Sequence, residues 1–184
     1  MRVNPVNPKD MNPDVLHVHQ EVVKLITSSQ GPVTMLDKEG ALVGPFPPMF
    51  RFPQFGIPAL SFVRSLDNHA ILSKKLREVA ILTVGAAYGA RFELYAHEIM
   101  AEHLGFSLRA VASLASGICP VELNQEESIA YEIASSLVKG KIISDSSYNL
   151  AKDLLGEEGV AELIFLVGAY NLLAMVLNGF DVLP

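Results

Sequence analysis

Hydrophobic and polar positions follow the period of an α-helix over most of this 184-residue chain. In the first such segment, Val15 and Val18 begin a series of apolar residues that recur every three or four positions and so share one helix face. Asn12 followed by Pro13 is typical of a helix start, and Gly31 marks the end of the segment. Little of the chain alternates with the period of a β-strand, so the pattern predicts an all-α fold.

An irregular region, about residues 31–53, separates this first helix from the rest of the chain. It contains many Pro and Gly residues, and a loop of this length is usually either disordered or functional. Its aromatic residues favour order, because disordered segments are poor in aromatics. We therefore predict an ordered loop that packs on the body of the protein, followed by a helix over about 58–67.

Polar caps and glycines divide the second half of the chain into further helices. Ser73, Ser107 and Ser144 each precede an apolar run, where a serine side chain can cap the first turn. Asn124, followed three residues later by Glu127, predicts a capping box. Helix ends are predicted at four glycines, which are Gly89, Gly105, Gly140 and Gly156.

Charge and composition limit the partners of the protein. The 14 basic and 20 acidic residues give a formal net charge of −6, and an acidic surface repels the phosphates of nucleic acid. Cys119 is the single cysteine, which excludes an internal disulfide and favours a reducing compartment. The N-terminal residues lack the apolar region of a signal peptide. We expect a cytoplasmic protein that does not bind nucleic acid.

Hydropathy bears on membranes and on self-association. The longest apolar stretch, residues 163–177, is interrupted by Gly168 and Asn171 and is shorter than the ~20 residues that span a bilayer. This stretch is typical of a buried core helix, so we expect no membrane partner. The mean hydropathy of +0.32 is high for a chain of this size and predicts exposed apolar patches. We expect a homo-oligomer to cover them.

The candidate chemistry lies on two consecutive helices. Glu93 and His97 are four residues apart and so share one helix face. Glu78 lies in the segment 76–88, which is apolar on nearly all sides and is predicted at the centre of the fold. A buried carboxylate needs a partner, and His97 is the obvious one. Such a Glu–His–Glu cluster could take and return a proton, as cofactor-free decarboxylation or isomerisation requires.

Other interpretations of these residues have to be weighed. A Glu–His pair with this spacing also occurs by chance on many exposed helices. Three ligands from the cluster could hold a metal, but paired helices that each carry an ExxH motif are absent, so we expect none. His17 and His19 point to different sides of a helix and are predicted on the surface. Cys119 is more typical of a structural thiol than of a nucleophile.

The segment LREVAILTVGAAYGARFELYAHEIMAEHLGFS, residues 76–107, and the following LRAVASLASG resemble the carboxymuconolactone decarboxylase family of the alkylhydroperoxidase D-like superfamily. The resemblance extends from about residue 42 to the C-terminus. It therefore divides the chain into an N-terminal extension with one helix, residues 1–41, and a carboxymuconolactone decarboxylase-like helical domain, residues 42–184. It implies an alkylhydroperoxidase D-like helical bundle, with the long ordered loop region preceding it, and a homo-oligomer.

The resemblance also implies roles for individual residues. The peroxidase branch carries a CxxC motif and a histidine, and these positions fall on Ala90, Glu93 and His97. The upstream glutamate of that branch falls on Glu78. Because both sulfurs are missing, reduction of peroxide by dithiol exchange is excluded. The decarboxylase branch commonly has Glu and His where this chain has Glu93 and His97, which implies that His97 donates a proton to carbon while Glu93 or Glu78 orients it.

These observations predict a cofactor-independent decarboxylase or related lyase that uses acid/base catalysis on a small cyclic metabolite, a lactone or an aromatic-derived ring. We expect His97, Glu93 and Glu78 to be catalytic and no metal or cofactor to be bound. Substrate-binding side chains are predicted at Phe46, Phe92 and Tyr170, and candidate carboxylate-binding residues are Arg51, Arg77 and Arg91. The alternatives are a non-catalytic oligomeric ligand-binding or structural protein, and a residual peroxidase that uses Cys119.

Overall fold

A computed structural model describes residues 1–29 and 31–184 of the chain. In this part of the chain the fold is all-α, as predicted, and the β-structure is one isolated antiparallel bridge between Leu36 and Leu42. A short 3-10 turn at Pro8–Asp10 precedes the α-helices. The α-helices are Pro13–Ser29 (α1), Phe46–Arg51 (α2), Pro53–Asn68 (α3), Lys74–Tyr88 (α4), Arg91–His103 (α5), Leu108–Ala115 (α6), Gln125–Val138 (α7) and Asp145–Gly179 (α8).

The predicted helix caps are observed. The Ser73 hydroxyl accepts a hydrogen bond from the Leu76 backbone N–H at 3.2 Å and so begins α4. Asn124 and Glu127 form the reciprocal capping box of α7, with hydrogen bonds of 2.8 and 3.0 Å. Gly89 ends α4 with φ 58°, a left-handed conformation that a residue without a Cβ adopts at little cost.

The apolar segment of α4 lies at the centre of the fold, as predicted. This helix contacts α5, α6, α7 and α8. Val79, Leu82 and Val84 have no exposed surface, and Leu163 and Leu166 of α8 are equally buried against this core. The burial of Glu78 on this helix therefore follows from the apolar character of its neighbours along the chain.

A break at Gly156 divides α8 into two parts, as the sequence predicts. Gly156 has φ 73° and ψ 168°, which lie outside the helical region, so the helix axis changes direction there. By length and composition alone, α8 is also long and apolar enough to cross a membrane. Half of its most apolar 18-residue window is buried inside the protein, as in the core helix of a globular fold.

The region 31–53 differs in part from the expected loop. The helix predicted to start near Pro58 already begins at Pro53, and a further short helix, α2, precedes it. Prolines account for this error. Pro47, Pro48 and Pro53 all lie in first turns, where the backbone N–H that proline lacks has no partner within the helix.

The N-terminal segment, residues 1–29 and 31–45, packs on the helical body. The backbone N–H and the guanidinium of Arg2 donate to the carbonyls of Phe180 and Gly179, each at 2.8 Å. His19 of α1 is buried, which contradicts its predicted surface position. Its ring meets the ring of Phe50 edge to face, with centroids 5.5 Å apart, because α1 folds back over the short helix α2.

Candidate active site

A cavity of about 280 Å³ lies beside α5, and the N-terminal segment, α2, α3 and α8 complete its wall. We call this cavity the chamber. The described part of α5 contributes five of its lining residues, Phe92, Glu93, Ala96, His97 and Met100. The other elements contribute mainly hydrocarbon, including Met35, Phe46, Leu60, Tyr170 and Leu173. All three predicted substrate-binding residues, Phe46, Phe92 and Tyr170, therefore line this one space.

His97 is held from one side by Glu78. Packing of α5 against α4 brings the imidazole Nδ1 to 2.8 Å from Oε2 of Glu78, so the predicted contact between them is confirmed. Because a carboxylate accepts, Nδ1 carries the proton and Nε2 is the ring nitrogen that can exchange one with a ligand. The ring of Tyr170 meets the imidazole edge to face, with centroids 5.3 Å apart. Together these contacts fix the orientation of the imidazole.

Glu93 is not the hydrogen-bonding partner of His97. Both of its carboxyl oxygens are buried, and neither has a hydrogen-bond partner in the part of the chain that the structure describes. Of the two carboxylates that the sequence offered as partners of His97, Glu78 therefore makes the hydrogen bond, through the imidazole Nδ1. Burial raises the pKa of Glu93 from 4.5 to about 8, so the group is a neutral carboxylic acid at pH 7.

Small residues make room for these side chains. A Cβ on Gly85 of α4 would lie 3.4 Å from Oε1 of Glu93 and 3.2 Å from Cδ2 of Leu94. Gly44, with φ 70°, lies so close to the Phe92 ring that a Cβ there would be 2.4 Å from it. The close approach at these two glycines lets Glu93 and Phe92 lie against the main chain instead of filling the chamber.

Tyr170 supplies a further neutral donor. Burial, followed by the negative charges of Glu78 and Asp67, raises the pKa of its phenol above the usual range. The hydroxyl therefore keeps its proton at any physiological pH and can donate a hydrogen bond. Glu93, Tyr170 and His97 are thus the polar residues of an otherwise apolar described lining, and the two carboxyl oxygens of Glu93 are themselves buried against the protein.

The arginines suggested as carboxylate ligands lie elsewhere. Arg77 is bound by Asp67, with Nη2–Oδ1 2.6 Å, and its Nε lies 3.6 Å from Oε1 of Glu162. Arg91 is paired with Asp181, and Arg51 is exposed. None of the three lines the chamber, and none of its described lining residues is Lys or Arg. The expectation of a carboxylate-binding arginine is therefore wrong for this cavity.

Among the described residues, no cysteine lines the chamber and no cluster of metal ligands accompanies it. Cys119 is exposed beyond the end of α6 and does not line the chamber. Partial burial raises the pKa of its thiol, which lowers the fraction of reactive thiolate. Within residues 1–29 and 31–184, no group of three or more His, Cys, Asp and Glu side chains is arranged to hold a metal ion.

Several lining residues were not identified from the sequence. Leu173 and Leu177 line the chamber together with Tyr170. They follow Tyr170 by three and seven residues, which puts all three on one face of α8. The helical period of the sequence could therefore have identified them. Val33 and Met35 belong to the N-terminal segment and approach the site only through tertiary packing. No local pattern in the sequence marks them.

No protein-family model matches the sequence, and no curated protein matches it at a significant level. Solved structures do match. A variant of the debrominase Bmp8 in complex with 2,3,4-tribromopyrrole has a TM-score of 0.72 at 13% identity and covers 99% of this chain and 90% of its own. The structure of Bmp8 without ligand also has a TM-score of 0.72 at 13% identity, with coverage of 98% and 90%.

A third solved structure is similar over about three quarters of the chain. It is ATU0492 from Agrobacterium tumefaciens, a protein of unknown function named as a candidate antioxidant defence protein AhpD. Its TM-score is 0.64 at 13% identity, over 74% of this chain and 94% of its own. At this level of identity the likeness concerns the fold, which is the AhpD-like helical fold.

Proposed function

We propose that this protein is a cofactor-independent acid/base enzyme of the decarboxylase or related lyase type, which acts on a small cyclic metabolite bound in the chamber. The observation that carries the proposal is the 2.8 Å contact between His97 and Glu78, which leaves the second ring nitrogen of His97 free for proton transfer. Glu93 and Tyr170 line the same cavity as neutral donors.

In the proposed reaction the bond between a ring carbon and its carboxylate carbon breaks, and CO2 leaves. The electron pair stays on the ring carbon and is delocalised into a neighbouring carbonyl, and rotation of the Glu93 side chain towards the chamber would let its carboxylic acid donate a hydrogen bond to that oxygen. Apolar walls favour this step, because the charge spreads as CO2 departs. Protonated His97 then delivers its Nε2 proton to the carbon, Glu78 stabilises the imidazolium before transfer, and water restores the proton.

The neighbours support a small ring as the ligand. The debrominase Bmp8 was solved with 2,3,4-tribromopyrrole, a single five-membered ring. Resemblance to the carboxymuconolactone decarboxylase family favours the same size of substrate and a reaction without cofactor. A chamber of about 280 Å³ is slightly smaller than most ligand pockets, which are about 300–1,000 Å³, and suits one ring with short substituents.

A non-catalytic ligand-binding protein is the main alternative. A cavity beside Glu93 and His97 is present, so these side chains are available to a ligand as well as to one another. This observation alone suits a binding protein and an enzyme equally. The fixed tautomer of His97 favours the enzyme, because binding of an apolar ring does not require an oriented proton donor.

The His97→Ala variant tests the proposal. We expect the wild-type protein to release CO2 from at least one member of a panel of lactone, pyrrole and hydroxybenzene carboxylates, and the variant to be about 100-fold slower, since it lacks the proton donor. His103→Ala, which changes an exposed histidine of the same helix, should retain full activity. Circular dichroism should show that both variants are folded. Equal rates for wild type and His97→Ala would contradict the mechanism.

The residual peroxidase alternative has a simple test. Alkylation of Cys119 with iodoacetamide should leave turnover unchanged, because this thiol is exposed and does not line the chamber. The extent of alkylation can be measured by mass spectrometry and compared with the remaining rate. Loss of activity in proportion to alkylation would favour thiol chemistry over the proposed acid/base reaction.

A further inference from the structure

We infer that the ligand of the chamber is a single ring that carries at most one negative charge, and that this charge lies against His97. The inference rests on the proposed function in taking the chamber as the substrate site, and it adds the charge of the substrate. His97 is the one side chain among the described lining residues that can become positive. All other described lining side chains are apolar, apart from Glu93 and the Tyr170 phenol.

The surroundings of the chamber oppose a second anion. All Lys and Arg residues lie in the described part of the chain, and none of them lines the cavity. The nearby guanidinium of Arg77 is already occupied by Asp67 and Glu162. Glu78 adds a carboxylate directly behind His97. A ligand with two carboxylates would therefore bury one of them without a counter-ion, which is unfavourable.

One anionic group, in contrast, finds suitable partners. Protonated His97 provides a positive charge whose position is fixed by the contact with Glu78. Glu93 is neutral at pH 7 because burial raises its pKa, so it adds no negative charge that would repel the bound anion. The rest of the ring then lies against Met35, Phe92 and similar hydrocarbon.

Binding of matched aromatic probes to the full chain tests the inference. Terephthalate has two carboxylates, and 4-carbamoylbenzoate has the same shape with one of them replaced by a neutral amide. Labelling the methionine methyl groups with carbon-13 gives a reporter of position, because Met35 and Met100 line the chamber while Met49 lines a separate groove between α2, α3 and α8. Each signal can be assigned by a Met→Leu substitution.

We expect 4-carbamoylbenzoate to shift the Met35 and Met100 signals at pH 7 and to bind at least tenfold more tightly than terephthalate. A difference of less than tenfold would overturn the inference, and so would binding of neither probe or shifts confined to Met49. The titration needs no turnover. If the titration contradicts the limit of one negative charge, the CO2-release assay still decides the proposed reaction. If no CO2 is released, the limit on the charge of the ligand still stands.

Discussion

Replacement of Glu93 by glutamine should raise the free energy of unfolding at pH 9 by about 5 kcal/mol and leave it almost unchanged at pH 4. The buried carboxyl has a pKa of about 8 in the folded protein, against 4.5 for the free group, and this difference corresponds to about 5 kcal/mol. Glutamine has nearly the same shape and never ionises. The variant therefore avoids the cost of burying a carboxylate.

The direction of this pH effect on stability follows from the protons bound in the folded and unfolded states. Between pH 4.5 and about 8 the folded protein keeps the Glu93 proton while the unfolded chain has lost it. The stability of the wild type should therefore be greatest with respect to this group below pH 4.5, decline as the pH rises towards 8, and level off above it. The Glu93→Gln variant should lack this decline.

Denaturant unfolding at pH 4, 7 and 9, followed by circular dichroism, measures the effect. Glu102→Gln is the matched control, because Glu102 is exposed on the same helix and its replacement should retain the decline of the wild type, with only a small change through the charge effect of Glu102 on Glu98. Parallel curves for the wild type and the Glu93→Gln variant would show that Glu93 is ionised in the folded protein. The neutral hydrogen-bond donor of the proposed site would then be lost.

Substitution of Gly56 by alanine should lower the free energy of unfolding by about 3 kcal/mol. A Cβ at this position would lie 2.2 Å from the carbonyl oxygen and 2.3 Å from the Cα of Met49, which are main-chain atoms of α2 and cannot rotate away. The two helices would have to separate, and forcing extra atoms into a packed contact costs about 1–3 kcal/mol or more. Phe46 at the start of α2 lines the chamber, so ligand binding should weaken as well.

Gly168→Ala provides the control for this substitution. Gly168 is exposed within α8, and no heavy atom lies within 4 Å of a Cβ built there. Alanine should therefore stabilise the helix by about 0.5–1 kcal/mol. Thermal unfolding of both variants gives the comparison. Equal stability of Gly56→Ala and the wild type would mean that α2 and α3 are farther apart than the structure places them.

Helix starts and ends could be predicted because they depend on neighbouring residues. The caps at Ser73, Asn124 and Ser144 need only a polar side chain within the first turn, and the break at Gly156 needs only a missing Cβ. The same local reasoning failed at Pro53, since proline inside the first turn and proline in a loop look alike along the sequence.

The sequence by itself determined the all-α fold, the central position of α4 and the presence of Glu78, Glu93 and His97 on two consecutive helices. Periodicity carries this information, because it fixes which face of each helix is apolar. Tertiary structure alone decided which carboxylate meets the imidazole. The sequence left Glu93 and Glu78 as alternatives, whereas the packing of α4 on α5 places Glu78 at 2.8 Å and leaves Glu93 buried without a partner among the described residues.

The formation of the chamber also depends on tertiary structure. Its wall joins α5 and α8 to Met35 of the N-terminal segment, and contacts between residues so far apart along the chain leave no periodic signal. The absence of a cation from its described lining likewise followed from the ion pairs of Arg77 and Arg91, whose partners lie on other helices or near the C-terminus. Local sequence sets the helices, whereas the charge of the cavity depends on how they pack.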